Sequence, residues 1–203
     1  RFGMPGTLLS DREWKQCLEA VEGVDSVEFI IASGSLPPGV PLNIYAQLAR
    51  IAKGKKAKLI VDTSGEPLKH AVEEGVYLLK PNLGELSSLL NKKELKPDEI
   101  KNRAREIIAR GKCEVMVISM GAAGAMLVTD NMAELIAPPP VTRKSTVGAG
   151  DSMVGGIIYY LEKGKVIFDA VKYGVACGTA ATMNPGTELC RKEDADRLYT
   201  LIE

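Results

Sequence analysis

Ser145-Thr146-Val147-Gly148-Ala149-Gly150-Asp151-Ser152-Met153-Val154-Gly155-Gly156 joins a turn to an apolar run, and its reading decides the kind of protein this is. Gly148 and Gly150 reach backbone conformations closed to other residues and leave their N–H groups uncovered. A helix that starts near Gly150 points its first unpaired N–H groups out of the turn. Those groups add to the helix dipole, and both favour an anion there. Asp151 then sets a carboxylate beside that anion hole. Like charges repel, so the carboxylate does not serve phosphate affinity. It suits a general base that takes a proton from a hydroxyl attacking the phosphate. The same letters also suit an ordinary helix start, in which Asp caps and offsets the dipole. The stretch is not a dinucleotide fingerprint, because G-x-G-x-x-G needs glycine where Met153 stands, and it lacks the G-K-[ST] of a phosphate loop.

Outward from this stretch, strands and helices alternate. A capping-box pattern at Ser10 and Glu13 predicts a helix to about Glu22. Val27–Ala32 reads as a buried strand, Pro41–Lys53 as a helix, Lys58–Asp62 as a strand and Glu66–Glu74 as a helix. Val76–Leu79 is a third strand, followed by helices over 83–90 and 97–110. Val115–Ser119 is a strand, with Ala125–Thr129 as its hairpin partner and Glu134–Ala137 as a further strand. After the focal turn come helices to about Lys163, from Val166 to about Met183, and at the end. Such alternation implies a parallel sheet with helices on both faces. The opening residues, Arg1 to Gly6, read as the end of a strand entering a turn, so a preceding N-terminal part is expected.

Composition narrows the function classes. The 203 residues carry 26 basic and 26 acidic side chains, a formal net charge of zero. That gives no electrostatic case for nucleic acid or an anionic membrane as partner. One sizeable core and one domain are the default at this length. Cys17, Cys113, Cys177 and Cys190 show no C-x-x-C spacing, and His70 is the one histidine, so zinc is not expected. The cysteines read as buried or half-buried thiols in a reducing compartment, and His70 as a surface or packing residue. With no signal peptide or bilayer-length apolar run in view, a cytoplasmic protein is expected.

Three more loops stand out. In Lys80-Pro81-Asn82-Leu83-Gly84-Glu85, Asn82 and Glu85 share a face of a helix's first turn. An amide and a carboxylate there suit a hydrated Mg²⁺, and Lys80 can face a phosphate. An Asn cap with Glu at the third helical position gives the same letters. Ser119-Met120-Gly121-Ala122-Ala123-Gly124 lets backbone approach a flat or anionic ligand, or makes a plain hairpin. Ser33-Gly34-Ser35-Leu36-Pro37 ends a strand where ligands bind in open α/β sheets, or is an ordinary turn.

Taken together, these four loops resemble the ribokinase-like, PfkB-type carbohydrate kinases. The focal stretch is similar to the family's C-terminal signature, and Asn82-x-x-Glu85 to its magnesium motif. The resemblance covers essentially the whole chain and is closest to the minor bacterial 6-phosphofructokinase type. Met4-Pro5-Gly6, Val40 and Pro138-Pro139-Pro140-Val141 also fit that type. It implies a three-layer α/β/α sandwich with a mostly parallel sheet, residues 1–203 being the C-terminal portion of one kinase domain. The N-terminal strands and lid are then absent, leaving an exposed sheet edge or face and weak sugar binding. The implied reaction is ATP-dependent phosphorylation of fructose 6-phosphate to fructose 1,6-bisphosphate. The implied base is Asp151, with Gly148, Ala149 and Gly150 as anion hole. Asn82 and Glu85 would hold Mg²⁺, mostly through water, and Lys80 would meet ATP phosphates, with Asn82 at the same nucleotide site. Ser119, Gly121 and Gly124 would line the nucleotide site, with Thr179 near the adenine, and Ser33, Gly34 and Ser35 would lie near the sugar. Ser145, Val147, Ala181, Asn184, Gly186 and Glu188 match positions around a K⁺ ion. A homodimer through the lid region is implied as well. 1-Phosphofructokinase and tagatose-6-phosphate kinase share these loops. A non-catalytic nucleotide-binding regulator would be expected to lose the base or the magnesium motif, and both stand here. A Rossmann-type dehydrogenase conflicts with the failed fingerprint and the late position of the glycine loop.

Overall fold

Parallel strands need long crossovers, and helices supply them here. The computed structural model describes residues 6–203, and the strand end expected at the first residues lies outside the described part. The chain divides into two compact units, residues 1–115 and 116–203.

The first unit opens with α1 (Asp11–Glu22), capped as its sequence predicts: the Ser10 hydroxyl accepts the Glu13 N–H, and the Glu13 carboxylate accepts the Ser10 N–H at 2.7 Å. β1 (Phe29–Ser33), α2 (Ile44–Lys55), β2 (Lys58–Asp62), α3 (Gly65–Glu74), β3 (Val76–Leu79), α4 (Leu83–Leu89) and α5 (Pro97–Ala109) follow. β1, β2 and β3 pair in parallel, from Phe29 opposite Lys58 to Ser33 opposite Asp62, and Val61 opposite Leu79. Leu59, Ile60, Val61, Leu78 and Leu79 are nearly sealed from solvent. That continuous apolar run is what a strand covered on both faces requires. β1 alternates instead: Ile30 and Ala32 are buried, whereas Ile31 is 49% exposed. Some expectations shift. The helix expected from Pro41 starts at Ile44, because the Pro41 carbonyl first closes a turn with the Ile44 N–H. The strand expected from Val27 begins at Phe29. Cys17 is exposed rather than half-buried, since α1 buries none of its residues. His70 lies at the surface beside Glu73, 3.9 Å away.

β4 (Cys113–Ser119) leads into the second unit. A 3₁₀ turn at Gly121–Ala123 returns the chain as β5 (Ala125–Val128), and β6 (Ala133–Ile136) follows. β4 to β5 and β5 to β6 are antiparallel, with Met116 opposite Val128 and Ala125 opposite Ile136. Within each unit the strands pair in chain order, β1 to β3 in parallel and β4 to β6 antiparallel.

α6 (Ala149–Glu162), α7 (Ile167–Thr182) and α8 (Lys192–Leu201) complete the second unit. α6 and α7 touch through small residues. A Cβ at Gly156 would meet Cys177 Sγ at 2.6 Å and Gly174 Cα at 3.1 Å, and one at Gly174 would meet Met153 O at 2.8 Å. One at Gly178 would lie 3.0 Å from Ala149 O, at the amino end of α6. α8 is anchored by tyrosines: Tyr160 and Tyr173 stack with centroids 3.9 Å apart, Tyr199 meets both edge-on, and the Tyr173 hydroxyl donates to Asp196 at 2.7 Å. Burial and the Asp196 carboxylate push the Tyr173 phenol's pKa up. Among the described residues no helix is long and apolar enough to cross a membrane.

Candidate active site

In the first unit, parallel register sets the carboxyl ends of β1, β2 and β3 side by side, so the loops that leave them collect polar groups. The Gly34 N–H donates to the Asp62 carbonyl at 2.9 Å, and the Gly34 carbonyl accepts the Thr63 hydroxyl at 2.7 Å and the Tyr45 hydroxyl at 2.9 Å. Tyr45 and Thr63 are buried, whereas Ser33, Gly34 and Ser35 are exposed. The Lys80 N–H donates to the Val61 carbonyl, and its buried ammonium lies 3.1 Å from the Asp62 carboxylate. A buried ammonium needs such a partner.

Asn82 and Glu85 start α4 as a reciprocal cap. The Asn82 side-chain oxygen accepts the Glu85 N–H at 2.9 Å, and Glu85 Oε2 accepts the Asn82 N–H at 2.8 Å. The cap and the magnesium motif, which share these letters, are compatible in that geometry. The cap uses one Glu85 oxygen and leaves Oε1 for other partners; Asn82 is exposed and Glu85 half-exposed. No group of three or more His, Cys, Asp or Glu side chains converges among the described residues. One carboxylate beside one amide suits a divalent ion that keeps most of its waters.

In the second unit, Gly148 caps α6 with φ +78°, and Ala149, Gly150 and Asp151 are the first helical residues. The N–H groups of Gly148, Ala149 and Gly150 have no acceptor among the described residues, and the Asp151 side chain is exposed in the first turn. The preceding loop is tied down from behind. Thr182 O accepts the N–H groups of Lys144 and Ser145, the Ser145 hydroxyl donates to Gly186 O at 2.6 Å, and the Val147 N–H donates back to the Ser145 hydroxyl. Asn184, buried, donates through its amide to Leu189 O at 2.8 Å. Ser145, Val147, Gly186 and Asn184 thus belong to one connected pair of loops, beside buried Ala181. The Glu188 carboxylate turns instead to Arg191, 3.3 Å away. Arg143, Lys144, Ser145, Thr146 and Val147 line a cleft of about 510 Å³. Gly124 (φ +92°) ends the 3₁₀ turn after Ser119, with Gly121 exposed at its tip, and the Met120 N–H donates to Gly124 O. Thr179 returns its hydroxyl to Val175 O within α7.

Asp62, Thr63 and Tyr45 are polar partners that the loop motifs do not include. The available signal is Asp62-Thr63 directly after an apolar strand, at the edge where Ser33 and Lys80 also emerge.

The profile of the pfkB family carbohydrate kinases matches residues 4–194, and the chain belongs to that family. It is 42% identical to the ATP-dependent 6-phosphofructokinase isozyme 2 of Escherichia coli (strain K12), over all of this chain and 66% of that protein. It is 30% identical to the 1-phosphofructokinase of Borreliella burgdorferi over 96% of this chain and 62% of that one. The crystal structure of the Escherichia coli phosphofructokinase-2 in complex with potassium superposes with a TM-score of 0.94 at 42% identity, covering 99% of this chain and 65% of that one. The fold is therefore the ribokinase-like three-layer α/β/α arrangement with a mostly parallel sheet. The chain spans just under two thirds of the length of these relatives.

Proposed function

We propose that this chain belongs to an ATP-dependent sugar-phosphate kinase that converts fructose 6-phosphate to fructose 1,6-bisphosphate. The observation that carries the reading is the amino end of α6. Three N–H groups with no acceptor among the described residues open beside an exposed carboxylate on a loop tied down from behind. The 42% identity to a 6-phosphofructokinase supports the choice of sugar.

Asp151 takes the proton from the sugar's acceptor hydroxyl. That oxygen attacks the γ-phosphorus of ATP, the bond to the bridging oxygen breaks, and ADP leaves. Charge spreads over the equatorial oxygens, so positioning and electrostatics dominate. The N–H groups of Gly148, Ala149 and Gly150 stabilise that charge, and one well-placed donor is worth about 3–4 kcal/mol. Lys80, oriented by Asp62, meets ATP phosphates. Ser119, Gly121, Gly124 and Thr179 hold the nucleotide, and Ser33, Gly34 and Ser35 the sugar. Asn82 and Glu85 fit a hydrated Mg²⁺, which supplies charge neutralisation at the phosphates. K⁺, present with the Escherichia coli relative, would be held by Ser145, Val147, Ala181, Asn184, Gly186 and Glu188, several through carbonyls. A cytoplasmic homodimer completes the reading. Fructose 1-phosphate is the second substrate candidate, favoured by the 30% identity to a 1-phosphofructokinase.

The test is ATP consumption by the full-length protein with fructose 6-phosphate, fructose 1-phosphate and tagatose 6-phosphate, in Mg²⁺ and K⁺. Fructose 6-phosphate is expected to be preferred. Asp151→Asn is expected to lower turnover by on the order of 10²–10⁴ while ATP binding persists. Preference for another sugar changes the substrate and keeps the mechanism. ATP binding without turnover on any of them moves the reading to a regulatory nucleotide-binding protein.

A further inference from the structure

We propose that Cys177 and Cys190 are a redox pair, and that a hydroperoxide joins them in a disulfide that displaces the loop over residues 184–191 and slows phosphoryl transfer. The effect on transfer rests on the anion-hole reading above.

The two cysteines lie on one face of α6. Cys177, on α7, lies against Gly156, so close that a Cβ there would sit 2.6 Å from its sulfur. Cys190 approaches one turn nearer the amino end, where its N–H reaches the Ser152 hydroxyl at 3.4 Å. Residues four apart stack along one helix face, so Cys177 and Cys190 lie over neighbouring turns of the same face, and each thiol shifts the other's pKa, Cys177 upward and Cys190 downward. Cys177 is buried, and Cys190 is half-buried on the irregular segment between α7 and α8. A peroxide therefore reaches Cys190 first.

The chemistry balances in two steps. The Cys190 sulfur, as thiolate, attacks one peroxide oxygen, the O–O bond breaks, and the alkoxide or hydroxide leaves with the thiol's proton. The Cys177 sulfur then attacks the resulting sulfenic sulfur, and the departing hydroxide takes the Cys177 proton as water. Two thiols are oxidised and one peroxide is reduced.

An S–S bond of about 2.0 Å is far shorter than the approach of two unbonded sulfurs. Closure must draw one partner inward. Cys177 sits in a buried helix packed on glycines, so the segment carrying Cys190 moves. Its neighbour Leu189 is the side chain that a Cβ at Gly148 would meet, at 2.9 Å. Leu189 O also accepts the Asn184 amide, and Gly186 O accepts the Ser145 hydroxyl. Movement at Cys190 thus reaches both the Gly148 cap and the loop before it.

Both cysteines lie in the tryptic peptide between Lys172 and Arg191. The full-length protein, carrying Cys17→Ser to prevent links between chains, is treated with hydrogen peroxide, alkylated and digested without reductant. The expected result is that this peptide loses two hydrogens and takes up no alkylating agent. Kinase turnover should fall severalfold in parallel and return with dithiothreitol. Cys190→Ser and Cys177→Ala should each keep their starting activity through the same treatment. Alkylation of both thiols after peroxide, or Cys190 oxidised beyond the sulfenic acid beside a free Cys177, overturns the pair. A disulfide with unchanged turnover overturns its coupling to the site. A disulfide in a protein that shows no turnover even when reduced overturns the kinase reading and leaves the pair standing.

Discussion

Gly148 and Gly124 both hold positive φ, yet a side chain would meet different neighbours at each. At Gly148 the added Cβ faces the flexible end of Leu189 at 2.9 Å, which can turn aside. Gly148→Ala is therefore expected to cost about 1–2 kcal/mol, the left-handed backbone penalty. At Gly124 the Cβ would lie 2.1 Å from Ile136 O, fixed in β6, and 2.8 Å from Pro138 Cδ. Gly124→Ala must open the β5–β6 connection and is expected to destabilise more than Gly148→Ala. Urea unfolding midpoints of the two variants check the order, and equal losses would contradict it. The sequence is least legible at individual side chains. Lys80 reads as a phosphate contact from its place after a strand, but its buried pairing with Asp62 depends on parallel register across β2 and β3. No spacing within either loop encodes that pairing.

At the scale of elements, the contact of α6 with α7 holds the amino end of α6, the proposed anion hole, in place. Gly155 and Gly156 are adjacent letters with opposite roles. Gly155 is exposed, and a Cβ added there would have no atom within 4 Å, so Gly155→Ala is expected to stabilise the helix by about 0.5–1 kcal/mol. Gly156→Ala drives a methyl into Cys177 and Gly174 and is expected to cost about 1–3 kcal/mol through overpacking. Thermal unfolding of the two variants should move in opposite directions, and stabilisation by both would refute the close packing. Element positions are largely readable from the letters: the strands expected over Lys58–Asp62 and Val76–Leu79 have the bounds that the structure shows, because unbroken apolar runs between polar turns leave no second choice. The start of α2 is not readable in this way, because Pro41 permits either a first helical turn or the preceding loop.

For the whole molecule, alkaline pH is the sensitive side. Burial pushes the Cys113 thiol from 9.0 up to about 12, and the buried or half-buried phenols of Tyr45, Tyr77 and Tyr173 are raised in the same sense. A group whose folded pKa is raised contributes fully below its unfolded value and loses that contribution as pH climbs toward the folded one. For Cys113 the window runs from about 9 to about 12. Within it the Cys113 thiol is expected to lower stability by about 1.4 kcal/mol per pH unit. Cys113→Val should flatten the decline measured by urea unfolding in reductant across that window, and an unchanged slope would contradict the assignment.

The order of letters was enough for the alternation of strands and helices, the family, and the four loops of the proposed site. Periodicity, caps and glycine positions are local properties, and each is written within a few residues. Four further facts came from the three-dimensional arrangement: Asp62 accompanies Lys80, Leu189 leans on Gly148, α6 and α7 touch through glycines, and Cys177 and Cys190 share one face of α6. Those facts join residues from separate segments, and what joins them is parallel register and close packing, neither of which any single stretch of the chain encodes.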